Sequence, residues 1–221
     1  MKTALALLAL MTLPLWTGAV ARSWDDDFTP RDPVVSRPDH REWAWDGKDG
    51  LAIEAPVTVN YTPTGAPRIV ITGPESVLAH VRVGQGHIRL DQDARVFRTD
   101  GLVATVTGVT VRKIALAGSG RANLDGLNLD SLQLAVMGSG EVRASGRADQ
   151  LELSVAGSGN ADLDRLRVLR ANINVQGSGN VELSPRDQAS LMVAGSGMVR
   201  MASRPPKLSQ MITGSGGVRF H

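Results

Sequence analysis

The sequence predicts an all-β chain, a β-solenoid of about 20-residue coils stacked as a parallel β-helix, and three observations predict it. Gly-Ser-Gly recurs six times, at 118–120, 138–140, 157–159, 177–179, 195–197 and 214–216, at spacings of 20, 19, 20, 18 and 19 residues. Apolar and polar residues alternate on both sides of every copy. The 221 residues include 24 Gly but only one Tyr and three Phe, which suits a narrow core filled by small aliphatics. A short, constant period marks units that bury their apolar faces only against their neighbours.

Residues 1–21 read as a secretory signal peptide. Lys2 gives the positive start, Ala4 to Leu15 the apolar stretch, and Ala19-Val20-Ala21 a small-x-small site that predicts cleavage after Ala21. That stretch falls short of the roughly 20 residues a bilayer span needs, so no membrane span is expected in the mature chain. With no cysteine there is neither a disulfide nor a lipid-bearing N-terminal Cys. Removing Lys2 leaves 23 basic residues against 22 acidic ones. Recognition of nucleic acid needs a clustered basic surface, and no such run stands out, so no nucleic-acid partner is expected.

Residues 22–50 read as a polar, partly disordered segment. They carry Asp25, Asp26 and Asp27, Pro30, Pro33 and Pro38, and all three tryptophans of the mature chain, Trp24, Trp43 and Trp45. Trp43 and Trp45, two apart, share a strand face. A cap on the open end of the stack is the favoured use for them, and sugar stacking the sharper alternative.

Residues 51–113 read as irregular β-coils, the first half of the domain. "LAIEAPVTVNY", "PRIVITGP", "AHVRVGQGHIRL" and "LVATVTGVTV" alternate and are separated by Pro, Gly and Asp turns. Wider coils of the same stack are expected, with a separate small β-domain as the alternative.

Residues 114–221 are the regular repeats. Four and two residues before each motif stand Ile114/Leu116, Leu134/Val136, Leu153/Val155, Ile173/Val175, Leu191/Val193 and Gln210/Ile212. Four and six residues after each first glycine stand Ala122/Leu124, Val142/Ala144, Ala161/Leu163, Val181/Leu183, Val199/Met201 and Val218/Phe220. Only Gln210 breaks the apolar pattern. Period two gives one buried and one solvated face, so each repeat carries two strands joined at Gly-Ser-Gly. Six rungs at about 4.8 Å would span roughly 29 Å. Right-handed coiling is expected from the general preference of crossovers, not from these residues.

The glycine pairs Gly118/Gly120, Gly138/Gly140, Gly157/Gly159, Gly177/Gly179, Gly195/Gly197 and Gly214/Gly216 are expected to be structural corners, where the chain bends and backbones approach closely. Stacking would set Ser119, Ser139, Ser158, Ser178, Ser196 and Ser215 in a column. Hydroxyls satisfying the corner amides and one another are expected over a ligand-binding stripe. At the last strand, Val218 and Phe220 should face an open end, which predicts association with a second copy or with another part of the chain.

No residue is assigned to catalysis, a cofactor or a metal. His40, His80, His87 and His221 are scattered, without zinc-ligand spacing. The glycine-rich turns lack both the serine elbow of hydrolases and the Lys-Ser/Thr of phosphate loops. Seven residues after each first glycine stand Asp125, Ser145, Asp164, Ser184, Ala202 and His221, too few acids for a calcium stack. One weak site near Asp162, Asp164 and Glu182 stays open. The outward column Arg143, Asp162, Glu182, Arg200 could imitate the groove of a polysaccharide-cleaving β-helix. Opposite charges on neighbouring rungs explain it as well.

The segments "IALAGSGRANLDG", "LQLAVMGSGEVRASG", "LELSVAGSGNADL", "INVQGSGNVEL" and "ITGSGGVRF" resemble the repeats of the head GIN domain family, whose members are named putative auto-transporter adhesins and whose function is unknown. Residues 51–113 also look like that family's N-terminal half. The resemblance implies a β-helical fold, a cell-envelope location and no catalytic residues.

These readings converge on an exported cell-envelope protein, in periplasm, on the surface or in the medium, acting as a non-catalytic binding, adhesion or scaffold module. Its ligand would be a glycan, an envelope polymer or a protein. A purely structural envelope protein and a polysaccharide-active enzyme are the alternatives.

Overall fold

Parallel pairing follows the sequence repeat residue for residue. The computed structural model describes residues 28–91 and 101–220. The stretch read as a signal peptide with its expected site at Ala21, together with Trp24, Asp25 to Asp27 and His221, lies outside the described residues. The described chain is nearly all β, with a β-solenoid of about five turns. Its C-terminal strands are β9 (Lys113–Gly118), β10 (Arg121–Gly138), β11 (Glu141–Gly157), β12 (Asn160–Gly177), β13 (Asn180–Glu182), β14 (Gln188–Gly195), β15 (Met198–Met201), β16 (Lys207–Gly214) and β17 (Gly217–Phe220).

β9, β10, β11, β12, β14 and β16 pair in parallel so that Ile114, Leu134, Leu153, Ile173, Leu191 and Gln210 stand in one column. The first five are buried. Gln210 lies in the last described coil and is exposed, so the polar exception falls in the terminal layer of the described stack. A second column on the other side of the motif runs Ala122, Val142, Ala161, Val181, Val199, Val218. β10, β11 and β12 each continue round nearly a whole coil, with a register slip near Leu124/Leu127 and again near Arg143/Ser145. Those slips absorb the difference between 19- and 20-residue coils.

The first glycines of the six motifs lie in register from Gly118 to Gly214. Gly177 shows what the position demands. Its φ is +117°, and a Cβ there would fall 2.4 Å from the carbonyl oxygen of Gly157 one rung below. The intervening serine amides donate to the glycine carbonyls below, Ser178 to Gly157 at 2.8 Å and Ser196 to Gly177 at 2.8 Å.

The two glycines of each pair meet different demands. Gly120, Gly140, Gly159, Gly179, Gly197 and Gly216 all lack a positive φ, so the left-handed conformation belongs to the first glycine alone. The second glycines are buried, Gly216 half-buried, and what they require is close approach. At Gly179 a Cβ would lie 2.5 Å from the Gly159 oxygen and 2.7 Å from Val155 Cγ1 in the core. The same crowding holds at Gly140, 2.7 Å from Leu116 Cδ2, at Gly197, 2.6 Å from Val175 Cγ1, and at Gly216, 2.4 Å from the Gly197 oxygen. They keep the rungs at close spacing.

The N-terminal strands are β1 (Val35–Arg37), β2 (His40–Ala44), β3 (Gly50–Ile53), β4 (Thr58–Thr62), β5 (Arg68–Thr72), β6 (Val81–Gly84), β7 (His87–Leu90) and β8 (Val103–Thr107), with a single-turn helix α1 (Glu75–Leu78). β3 lies parallel on β9, Leu51 beside Ile114, and β4 parallel on β10, Val59 beside Ala122. Residues 50–62 thus form a rung of the same stack, and Ala55-Pro56-Val57 stands where later coils carry Gly-Ser-Gly. β7 and β8 extend the parallel ladders on β3 and β4.

Beyond them the pairing turns antiparallel: β5 on β8, β2 on β5, β1 on β2, and β6 on β7. The regular stack therefore ends in hairpin ribbons rather than in further wide coils. Within 28–50, a segment read from the sequence as polar and partly disordered, β1 and β2 belong to these ribbons.

One apolar core runs through both halves. Trp43, 3% exposed, sits in it, and its Nε1–H donates to the Arg31 carbonyl at 3.0 Å. Tyr61 is buried, donates its hydroxyl to the Val109 carbonyl at 2.7 Å and accepts the Val111 N–H at 3.3 Å. Burial pushes its phenol up, opposed in part by that amide. A buried polar atom without partners costs about 1–3 kcal/mol, so these bonds are what lets a Tyr and a Trp occupy a core of aliphatics. No helix among the described residues is long and apolar enough to cross a membrane.

Candidate functional site

The turn motif brings its own chemistry to the surface. All six serines between the glycines are exposed. The sequence leads one to expect their hydroxyls to satisfy the corner amides and each other. They do neither among the described residues, because glycine carbonyls already take the amides of Ser139, Ser158, Ser178 and Ser196. The result is a row of six exposed hydroxyls, one per rung, at the roughly 4.8 Å spacing of a β-ladder.

At the N-terminal end of this row the surface dips. Because residues 55–57 lack the glycine motif, Pro56, Val57 and Thr58 form one wall of a cavity of about 240 Å³. Ser119, Gly120, Arg121, Ser139, Glu141 and Asn160 complete it. Arg121 Nε donates to Glu141 Oε2 at 2.9 Å, which fixes both side chains at the rim. Asn160 continues the polar line, its Oδ1 accepting from Asn180 Nδ2 at 3.2 Å. Hydroxyls, a carboxamide and a fixed cation–carboxylate pair can together donate to and accept from a hydroxyl-rich ligand.

The adjoining strand face carries the charged column predicted from the sequence. Arg143 reaches Glu141, and its Nε lies 3.8 Å from Asp162 Oδ2, while Arg200 donates to Glu182 Oε1 at 2.6 Å. Register sets opposite signs side by side at two junctions, Arg143 with Asp162 and Glu182 with Arg200, and like signs at two others, Asp162 with Glu182 and Arg200 with Arg219. Exposed pairs of this kind are worth about 0–1 kcal/mol each. The carboxylates of Asp162, Asp164 and Glu182 converge within 4.8 Å and are the group here that could take a cation. Two of the three already face guanidinium groups, so the ladder accounts for them without one.

The column seven residues after each first glycine is a turn device. Ser145 Oγ donates to Asp125 Oδ1 at 2.9 Å and accepts the Gly126 N–H at 3.4 Å, and Ala202 N–H donates to Ser184 Oγ at 2.9 Å. Neighbouring coils are stitched there by side chain and backbone.

Sequence reading missed one cluster. β3 and β7 pair so that Glu54 and His87, 33 residues apart, meet at 3.1 Å, and Arg89 Nε donates to the same carboxylate oxygen at 2.8 Å. The Arg89 guanidinium lies 4.6 Å over the Phe28 ring, which also packs beside His87. Burial alone would raise the Glu54 carboxyl. Hydrogen bonds from His87 and Arg89 and the charge of both outweigh it and hold the carboxyl below its ordinary range. No spacing signal in the sequence announces this group, which ties the entering chain to the first rungs.

The aromatic pair does not form an open platform. Trp43 is in the core and Trp45 packs against it, half-buried. At the other end of the stack the last coil leaves Met211, Ile212 and Phe220 exposed by 60%, 40% and 41%, with Val218 half-buried. Of the scattered histidines, His40 Nε2 lies 4.0 Å from Glu42 and His87 is in the cluster above.

The family model described as "Putative auto-transporter adhesin, head GIN domain" matches residues 49–205. Among solved structures, a putative adhesin from Bacteroides fragilis superposes with a TM-score of 0.65 at 20% identity, covering 82% of this chain and 96% of its own. A putative lipid binding protein from Parabacteroides distasonis gives a TM-score of 0.53 at 18% identity, covering 83% and 96%. At such identities the likeness speaks to the fold. Among the curated proteins, none matches the chain.

Proposed function

The chain belongs to the putative auto-transporter adhesin, head GIN domain family, and from that premise we propose that it is an exported, non-catalytic binding module of the cell envelope. The observation that carries the reading is the row of unpaired serine hydroxyls running into the polar cavity beside Pro56 and Arg121. A rigid stack that repeats one hydroxyl per rung offers many weak, evenly spaced contacts. That suits a glycan or another repeating envelope polymer better than a single small molecule. The family's name and the adhesin named among its structural neighbours support binding over catalysis. So does the pairing of Glu141, Asp162 and Glu182 with arginines, which leaves them poorly placed as acid and base.

A glycan array tests the reading. Wild-type protein should bind a subset of hydroxyl-rich polysaccharides, and Arg121→Ala combined with Ser139→Val should weaken that binding at least about fivefold without changing the circular dichroism. Equal binding by both proteins, or none by either, would remove the site. Export is tested by fractionating cells and sequencing the mature N-terminus, expected at Arg22.

A further inference from the structure

Midway round the last three coils, between one Gly-Ser-Gly and the next, the stack gathers an excess of positive charge, interrupted by the exposed Asp164 and Asp187. Arg165, Arg167, Arg170, Arg186, Arg204 and Lys207 come from three successive coils, and all six are exposed. The register brings them together: Arg170 lies beside Gln188, which lies beside Lys207, and the Arg186 N–H donates to the Val168 carbonyl at 3.0 Å, next to Arg167. Arg167 in turn lies beside Arg147 of the coil below. Over three rungs the patch extends about 10 Å along the stack.

Arg147 is matched by Asp149 at 2.8 Å. Among the described residues no carboxylate lies within ion-pair distance of the other six. The sequence shows no basic run here, since these residues are spread over 43 positions and interleaved with aliphatics that point inward.

The contrast with the other charged face is what points to a ligand. There, Arg143, Asp162, Glu182 and Arg200 each reach an opposite charge. Here, Arg147 and Arg167 sit side by side, and the coils above add further cations. Like charges facing one another across strands oppose folding. An external polyanion would offset the repulsion.

We propose that this face binds an acidic polysaccharide, independently of the serine row. Five of the six cations are arginine, whose planar fork takes a carboxylate in a two-point contact. The large exposed apolar side chains of the described protein are Val34, Met211, Ile212 and Phe220, none of them on this strip, so it lacks what an interfacial membrane binder inserts. Residues 114–219 contain no aromatic side chain, so it also lacks the stacking platform of single-stranded nucleic-acid binders. A linear array of guanidinium groups on a rigid strip fits a linear chain of carboxylates.

The test uses alginate as the polyanion and dextran as its neutral control. Alginate should bind the wild-type chain, more weakly as salt is raised, and dextran should not compete. The variant with Arg165→Gln, Arg167→Gln, Arg170→Gln and Arg186→Gln should lose at least tenfold in alginate affinity while keeping its circular dichroism. The pair Arg143→Gln and Arg200→Gln, on the ion-paired face, should leave alginate binding unchanged. Should the fourfold variant fail to fold, Arg167→Gln and Arg186→Gln are read singly, each expected to weaken binding two- to fivefold. The proposal is overturned by unaltered alginate binding in the patch variants, or by no binding in the wild type. It is equally overturned if the Arg143/Arg200 pair weakens binding as much, or if duplex DNA or phosphatidylglycerol vesicles bind more tightly than alginate. Loss of glycan binding in the Arg121/Ser139 variant with intact alginate binding would keep the two sites distinct.

Discussion

Glu54 is the residue whose environment differs most from its exposed counterparts on the outer faces. Its carboxyl is half-buried, yet it accepts from both Arg89 and His87, and the net effect is a lowered pKa. A carboxyl depressed by folding contributes stability that is fully present above its unfolded value, near 4.3. That contribution is lost as pH falls through the folded value. With the side chain about a third exposed, solvent screening holds it under about 1 kcal/mol. Glu54→Gln should therefore be less stable than wild type at pH 7, by a margin that narrows at pH 3. Urea titrations at the two pH values check this, and an unchanged difference between them would contradict the ion-pair account.

At the level of the repeated element, the glycines of the motif are not equivalent, and their differences make a prediction. At Gly177 both the dihedral and the Gly157 oxygen oppose a side chain. At Gly118 the φ is +97°, but a Cβ would meet nothing within 4 Å, because the rung below it has Ala55-Pro56-Val57 instead of a glycine corner. Gly118→Ala should cost about 1–2 kcal/mol from the backbone alone. Gly177→Ala, which must also push two rungs apart, should cost more than about 3 kcal/mol. Chemical denaturation of both variants tests the order, and equal losses would mean that stacking contact matters less than the dihedral. The aliphatic columns follow the same logic: Leu153, buried between Leu134 and Ile173, has neighbours on both sides, whereas Gln210 has one.

For the whole molecule, stability in a stack is a sum of rungs and the interfaces between them. Central strands β11 and β12 have partners on both edges, while β16 and β17 have one each and expose Met211, Ile212 and Phe220. Backbone amides of β16 and β17 should exchange with solvent well before those of β11 and β12. At the opposite end the antiparallel ribbons and Trp43 cover the first rungs, so β3 and β4 should resemble the centre rather than the C-terminal end. Mass-spectrometric hydrogen exchange resolves these segments. Uniform protection along the chain would show that the stack opens only as a unit, or that another copy covers its last coil.

The sequence alone determined the period, the inward columns and the solenoid, because alternation and glycine spacing are local and every rung repeats them. It also pointed to Trp43 as part of the covering end, and to Gln210 as the odd member of its column. Tertiary structure decided what rests on register between distant segments. It divided each glycine pair into a left-handed first member and a crowded second one, since the crowding comes from the rung below. It placed 50–62 directly against 113–124, skipping the ribbons in between, and so opened the cavity at Pro56. It brought Glu54 to His87 and Arg89, left the serine hydroxyls unpaired, and collected on one strip arginines that the sequence scatters. Which residues meet across rungs depends on coil lengths of 18, 19 or 20 and on two register slips. A one-residue change there would redirect every outward contact while leaving the inward pattern recognisable.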